Sequence, residues 1–122
     1  MKEISPQLQN QITQYQQLQN QLQVLGSQRV QLEAKLREIE STLEELGKLK
    51  GDTPVYKSIG MLLVRQDDRE ALKKELEDHQ ETLGIRVKSL QKQEKALSGR
   101  YEDLAAKIQS ALGTSPATVD SN

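Results

Sequence analysis

Two long segments of the chain carry apolar residues at alternating intervals of three and four positions, which is the heptad pattern of a coiled coil. In the first segment this row of positions, the seam, extends over residues 4–46, and only Gln11 and Arg29 interrupt it. In the second segment the seam extends over residues 76–111, and Gln80 and Glu94 interrupt it. A seam this narrow and this long is typical of helices that pair with each other.

The composition favours an elongated helical protein over a compact one. Aromatic residues make up 2% of the chain, against 34% hydrophobic and 29% charged residues. Compact cores depend on aromatic side chains for much of their buried area. A disordered chain can share this composition, but disordered chains lack a sustained heptad periodicity. We therefore expect ordered helices with little globular core.

Local signals set the expected ends of two helices of similar length. Ser5, followed by proline, predicts the N-cap of a helix over residues 6–49. Asp67, with a glutamate three residues later, predicts the cap of a second helix over residues 67–112. The glycine at 113 fits the position that follows a helix C-terminus.

The connector between the helices lacks the heptad pattern and is rich in β-forming residues. It predicts one β-hairpin over residues 54–65, with Gly60 at the turn. The predicted fold class is therefore mainly α: a long antiparallel two-helix coiled coil with one β-hairpin inserted between the helices. We expect a single domain over residues 1–112. The small, polar and proline-containing segment 113–122 is expected to be a disordered tail.

An isolated two-stranded hairpin is marginally stable in water, and both of its edges carry unpaired backbone groups. This hairpin also carries an apolar patch made of Val55, Ile59, Met61, Leu62, Leu63 and Val64. Pairing with hairpins of other subunits is the simplest way to cover both the strand edges and the apolar patch. We therefore predict oligomerisation through this segment.

Equal helices joined by a short connector fold back antiparallel, which places both chain ends together. The register predicts Leu8 beside Ile108 and Ile4 beside Leu112, and it does not place Arg29 opposite Glu94. The apolar residues at this end, here named the tip cluster, are Ile4, Leu8, Ile12, Ile108 and Leu112. They form either a plain last layer of the coiled coil that frays, or a binding patch for exposed apolar segments.

Charge is unevenly distributed along the first helix. Eleven of the residues from 7 to 31 are glutamine, and Arg29 is the single charged residue between positions 6 and 31. One interpretation is an ordinary solvated face. The other is a neutral, amide-rich surface that accepts varied partners, because glutamine does not select charge strongly.

Chemistry typical of enzymes and cofactor proteins is missing from the sequence. The chain has no cysteine, which excludes disulfides and thiolate zinc sites, and its one histidine, His79, has no cysteine or histidine co-ligand nearby. No phosphate-binding loop or nucleophile motif occurs. We expect no enzyme activity, no cofactor and no metal.

Charge and hydropathy also limit the partners that the chain can take. The net charge is −1 with both signs mixed along the chain, so no basic stripe for nucleic acid is expected. No long apolar run or signal-peptide region occurs, so we expect no membrane contact and a cytoplasmic location.

Three features of the sequence occur together: the hairpin Val55-Tyr56-Lys57, Gly60 and Leu63-Val64, the Leu90-Gln91-Lys92-Gln93-Glu94 segment, and the glutamine-rich first helix. This combination resembles the beta class of prefoldin subunits, most closely the archaeal form. The resemblance spans about residues 4–112, and a single hairpin fits the beta class, since alpha-class subunits carry two.

This resemblance implies an ATP-independent chaperone. Prefoldins are hexamers in which hairpins join into a β-barrel platform and the ends of the coiled coils hold unfolded polypeptides for a group II chaperonin. It implies a prefoldin alpha subunit as partner in a hetero-hexamer, with non-native polypeptides and the chaperonin as further partners. The tip cluster would contact clients, and the oligomerisation hairpin would consist of Val55, Tyr56, Ile59, Gly60, Met61, Leu62, Leu63 and Val64.

Two other functions fit a helical hairpin. The first is a coiled-coil scaffold or adaptor that joins specific folded partners. The second is a coiled coil whose bend enters a polymerase channel, although that role favours a tight acidic bend over a long apolar hairpin. Binding to unfolded chains separates the chaperone from the adaptor.

Overall fold

The computed structural model of the chain describes residues 4–113. The elements follow in the order α1 (Pro6–Lys48), β1 (Val55–Ile59), β2 (Leu62–Gln66) and α2 (Arg69–Ala111). The predicted fold class is confirmed, because a two-stranded antiparallel hairpin separates two helices of 43 residues each. Residues 114–122 of the predicted tail lie outside the described part of the chain.

Side-chain caps explain where the helices begin. The Ser5 hydroxyl accepts a hydrogen bond of 3.1 Å from the Leu8 backbone N–H, which confirms serine as the cap of α1. For α2 the prediction of Asp67 was wrong. The carboxylate that accepts the Ala71 N–H, at 3.0 Å, belongs to Asp68. Asp67 instead accepts a hydrogen bond of 2.9 Å from Arg65 Nε, so of two adjacent aspartates only the second is directed at the helix.

The end of α2 uses the conformational freedom of glycine. Gly113 has a φ of 73°, in the left-handed region that a side chain disfavours. Its N–H donates to the Ser110 carbonyl at 3.0 Å, and the Leu112 N–H donates to the Ile108 carbonyl at 3.0 Å. Glycine therefore closes α2, as the sequence predicted.

The chain divides into two compact units. Among the described residues, the terminal unit contains those up to Arg29 and those from Ser89 to Gly113, and the hairpin unit contains Val30–Lys88. In the terminal unit the buried apolar side chains are those of Leu8, Leu18 and Leu90, and in the hairpin unit they are those of Ile39, Leu83 and Val87. Six buried side chains among residues 4–113 make a thin core, which is what a two-helix seam provides.

Pairing in both units is antiparallel. In the terminal unit one depression is lined by Ser5 and Leu8 from the start of α1 and by Ser110 and Ala111 from the end of α2. The two described chain ends therefore lie together, as predicted. In the hairpin unit the end of α1 likewise lies beside the start of α2, since Gly47 and Arg69 line one depression.

The hairpin register is set by a two-residue turn. Val55 pairs with Gln66 and Ile59 pairs with Leu62, which leaves Gly60 and Met61 at the turn. Gly60 has a φ of 57°, and Met61 has no positive φ. This combination is that of a type II′ turn, whose twist matches that of the strands.

Candidate functional site

The hairpin exposes most of its apolar surface. The side chains of Tyr56, Ile59, Met61, Leu62, Leu63 and Val64 are all exposed, Leu63 by 74% and Met61 fully. Six exposed large hydrophobic residues within nine positions are far more than scattered surface residues would give. All the residues of the predicted oligomerisation hairpin lie on this one element, including Val55, which is half-buried.

The hairpin also has two free edges. Its sheet contains two strands among the described residues, so each strand has one paired edge and one unpaired edge. Unpaired backbone N–H and C=O groups along an apolar strand are a template for adding a further strand. Hairpins of other chains can cover both the free edges and the exposed apolar surface.

One face of the hairpin lies against the helices. Val55 and Lys57 are half-buried, while Tyr56 and Ser58 between them are exposed, so alternate residues of β1 point toward and away from the helices. Val55 lines a depression together with Leu46 of α1, Leu49 just after it, and Leu72 and Leu76 of α2.

The tip cluster is divided between buried and exposed side chains. Leu8 is 7% exposed and belongs to the core of the terminal unit, and Ile12 and Ile108 are half-buried. Ile4 and Leu112 are 46% and 53% exposed. The structure thus brings apolar residues of both chain ends into one unit, and the accessible part consists mainly of Ile4 and Leu112.

Two polar pairs within the terminal unit escaped the sequence prediction. Tyr15 and Tyr101 stack with ring centroids 4.4 Å apart and an interplanar angle of 18°. The Tyr101 hydroxyl donates a hydrogen bond of 2.6 Å to the Tyr15 hydroxyl. This hydrogen bond, together with partial burial, raises the pKa of Tyr101 above its ordinary value. Both tyrosines occupy seam positions, and from these positions their contact could have been predicted.

The second pair is ionic. Arg29 Nε lies 2.5 Å from Glu94 Oε1, and the two side chains are 28% and 21% exposed. The register based on backbone positions did not place these residues opposite each other. Side chains on an α-helix tilt toward the N-terminus of their own helix. In an antiparallel pair the two tilts are opposed, so Arg29 and Glu94 lean toward each other and meet.

Gly26 lies beside this ion pair. A Cβ atom at Gly26 would lie 3.7 Å from Glu94 Oε2, which is ordinary van der Waals contact. An alanine would therefore also fit here, so the contact between Glu94 and Arg29 does not require glycine at position 26.

The described residues were compared with the requirements of a metal site and of a membrane-spanning helix. No cluster of three or more histidine, cysteine, aspartate or glutamate residues could hold a metal ion there. Within the same residues, no helix is long and apolar enough to cross a membrane.

Comparisons with known proteins agree with the geometry. Residues 9–115 match the family described as prefoldin subunit. The prefoldin subunit beta of Archaeoglobus fulgidus is 46% identical over 112 residues, which cover 92% of this chain and 96% of that protein. The prefoldin subunit beta of Thermoplasma volcanium is 46% identical over 105 residues, 86% of this chain and 85% of that protein.

A solved structure shows the same likeness in three dimensions. The crystal structure of the prefoldin beta subunit from Thermococcus strain KS-1 matches with a TM-score of 0.81 and 37% identity. The match covers 92% of this chain and 97% of that one. A family match over most of the chain, several relatives above 40% identity and a shared fold lead to one conclusion. The chain belongs to the prefoldin family, as a subunit of the beta class.

Proposed function

We propose that the chain is one subunit of an ATP-independent holdase that keeps non-native polypeptides from aggregating and delivers them to a group II chaperonin. The observation that carries this proposal is the exposure of apolar side chains on the hairpin and at the paired helix ends, in a chain of the prefoldin family. Two separate apolar surfaces suit two tasks, assembly at one and client binding at the other.

Assembly occurs through the hairpin. Its free edges and exposed apolar residues are covered by hairpins of neighbouring subunits, including the prefoldin alpha subunit, in a hetero-hexamer. Strand addition satisfies the unpaired backbone groups of β1 and β2 and removes apolar area from water in one step. The oligomerisation residues are Val55, Tyr56, Ile59, Gly60, Met61, Leu62, Leu63 and Val64.

Client binding occurs at the tip cluster. Ile4 and Leu112 supply exposed apolar surface, and Ile12 and Ile108 border it. A patch this small binds one apolar segment weakly and with little sequence preference. Several chains in one complex increase the effective affinity through multivalency, which suits clients that have no common sequence. The complex acts in the cytoplasm and transfers its client to the chaperonin.

The test combines the full chain with the alpha-class subunit from the same organism. We expect substoichiometric amounts of the complex to suppress aggregation of a chemically denatured client, measured by light scattering. Removal of residues 1–12 and 105–122 should abolish the suppression, while sedimentation still shows the hexamer. Full activity after trimming would rule out the tip cluster as the client site.

Two further measurements test the remaining parts of the proposal. A fluorescent client held by the complex should move to an added group II chaperonin, and no transfer would refute the delivery role. Saturable binding to one or two folded proteins, with no effect on denatured clients, would instead identify the chain as an adaptor.

A further inference from the structure

One apolar patch and one ion pair connect the hairpin to the helices of its own unit, and a second polar link connects α2 to the turn that precedes β1. In the apolar patch, Val55 shares one depression with Leu46 and Leu49 at the end of α1 and with Leu72 and Leu76 on α2. Apolar contact is non-directional, so this patch holds the hairpin close to the helix but does not by itself determine its orientation. Directional bonds are needed to fix the angle at which the strands leave the helices.

The first directional link is an ion pair between the middle of β1 and α2. Lys57 Nζ lies 2.6 Å from Glu75 Oε1, and the two side chains are 36% and 56% exposed. Lys57 points toward the helices and pairs across the sheet with Val64. A rotation of the hairpin on its apolar patch would break this pair.

The second link involves Arg69, the first residue of α2. Its guanidinium donates hydrogen bonds to the backbone carbonyl of Thr53 and to that of Leu49, the latter at 3.5 Å. Both acceptors belong to the turn between α1 and β1, and the Thr53 N–H donates to the Lys50 carbonyl within that turn. The planar guanidinium offers several donors in fixed directions, which suits it to holding two carbonyls at once.

We infer that Lys57, Glu75 and Arg69 are positioning residues, which hold the hairpin in one orientation on α2 and so set how strongly its free edges pair with other prefoldin subunits. This inference rests on the proposed assembly through the hairpin. Adding a strand requires the two edges to meet at one spacing and direction. A hairpin that is already oriented loses less conformational freedom on association than one that rotates on its patch.

The first experiment measures the orientation in the isolated full-length chain. The chain has no cysteine, so Ser41→Cys and Ser58→Cys allow two spin labels, one on α1 and one on the exposed face of β1. Glu75→Gln should broaden the distribution of distances between the labels. The charge-swapped pair Lys57→Glu and Glu75→Lys should restore the narrow distribution.

Asp67→Asn is the matched control. It removes the same carboxylate charge and breaks an ion pair with Arg65, but both partners of that pair lie within the connector. The control should leave the distance distribution unchanged. An unchanged distribution in Glu75→Gln as well would overturn the inference.

The second experiment measures assembly with the alpha-class subunit by sedimentation. Glu75→Gln should weaken association about two- to five-fold, as expected for loss of an exposed pair, and should make association less dependent on salt. Arg69→Gln should weaken it further, with helix content by circular dichroism unchanged in both. Asp67→Asn should match the wild type, and the charge swap should recover wild-type association.

The assembly measurement distinguishes a failure of this inference from a failure of the proposed function. If the wild type does not assemble at all, assembly through the hairpin is refuted. If the wild type assembles and Glu75→Gln assembles equally tightly, only the positioning role is refuted.

Discussion

Arg29 and Glu94 form a charged pair inside a seam that is otherwise mostly apolar. Their side chains are less than a third exposed, so the pair lies between a surface ion pair and a buried one. Removing one partner of a buried pair leaves a charge without compensation, and this costs more than the pair contributes. Replacing both partners with apolar residues avoids that cost and extends the seam.

We predict opposite results for the single and the double replacement of this pair. Glu94→Gln should lower the free energy of unfolding by about 1 to 2 kcal/mol, between the values for surface and buried pairs. Arg29→Met combined with Glu94→Leu should be at least as stable as the wild type. Urea denaturation at one fixed protein concentration measures both, since oligomerisation makes stability depend on concentration. A double variant less stable than Glu94→Gln would contradict this account.

The tyrosine pair predicts a dependence on alkaline pH. Because the Tyr101 hydroxyl is the donor to Tyr15, loss of its proton removes this donated hydrogen bond, and its pKa is raised in the folded state. The unfolded value is about 10, so the contribution to stability is full below that pH and is lost as pH rises through the folded pKa.

Two substitutions measure this effect. The stability difference between the wild type and Tyr101→Phe should shrink as pH rises above about 10, the ordinary tyrosine pKa. Comparing the two proteins at each pH cancels the effects of pH that they share. In Tyr15→Phe, tyrosinate absorbance should appear at lower pH than in the wild type. Absorbance that rises at the same pH in both would show that the hydrogen bond does not set the pKa.

At the scale of the element, two consecutive aspartates with different roles precede α2. Asp68 caps the helix through the Ala71 N–H, and Asp67 bonds Arg65. Asp68→Ala should therefore destabilise the protein by about 1 kcal/mol, the usual cost of losing an N-cap. Asp67→Ala removes the same charge from the next position and should cost less than half as much, because its ion pair is exposed. Thermal unfolding separates the two, and equal losses would argue against Asp68 as the cap.

The elements themselves were predictable because their signals are local. Heptad spacing identified both helices, and a run of β-forming residues around Gly60 identified the hairpin and its turn. The N-cap of α2 was not predictable, since Asp67 and Asp68 carry the same chemistry and only the Arg65 contact distinguishes them. Local composition therefore identifies an element better than it identifies its first residue.

For the whole molecule, the antiparallel pairing of the chain ends followed from two helices of equal length. The contacts across the seam did not follow, because they depend on side-chain direction as well as backbone register. Arg29 and Glu94 meet through opposed tilts that residue counting omits. The tip cluster was identified as one set, and the structure divides it into the buried Leu8 and the exposed Ile4 and Leu112.

That division makes the client-binding proposal testable without shortening the chain. Ile4 and Leu112 are already about half exposed, so Ile4→Ser with Leu112→Ser should change stability by less than about 0.5 kcal/mol per site. If these side chains contact clients, the concentration of hexamer that suppresses half of the aggregation should rise at least about ten-fold. The effect is large because the loss repeats on every copy of the chain.

The matched control replaces two apolar residues of similar exposure in the hairpin unit. Val30 and Ile85 are 54% and 62% exposed, so Val30→Ser with Ile85→Ser removes comparable apolar surface outside the tip cluster. This control should suppress aggregation as well as the wild type does. Equal loss in both double variants would mean that clients bind exposed apolar surface in general, and wild-type activity in both would place the client site on other residues. Only a loss confined to Ile4 and Leu112 supports client binding at the paired chain ends.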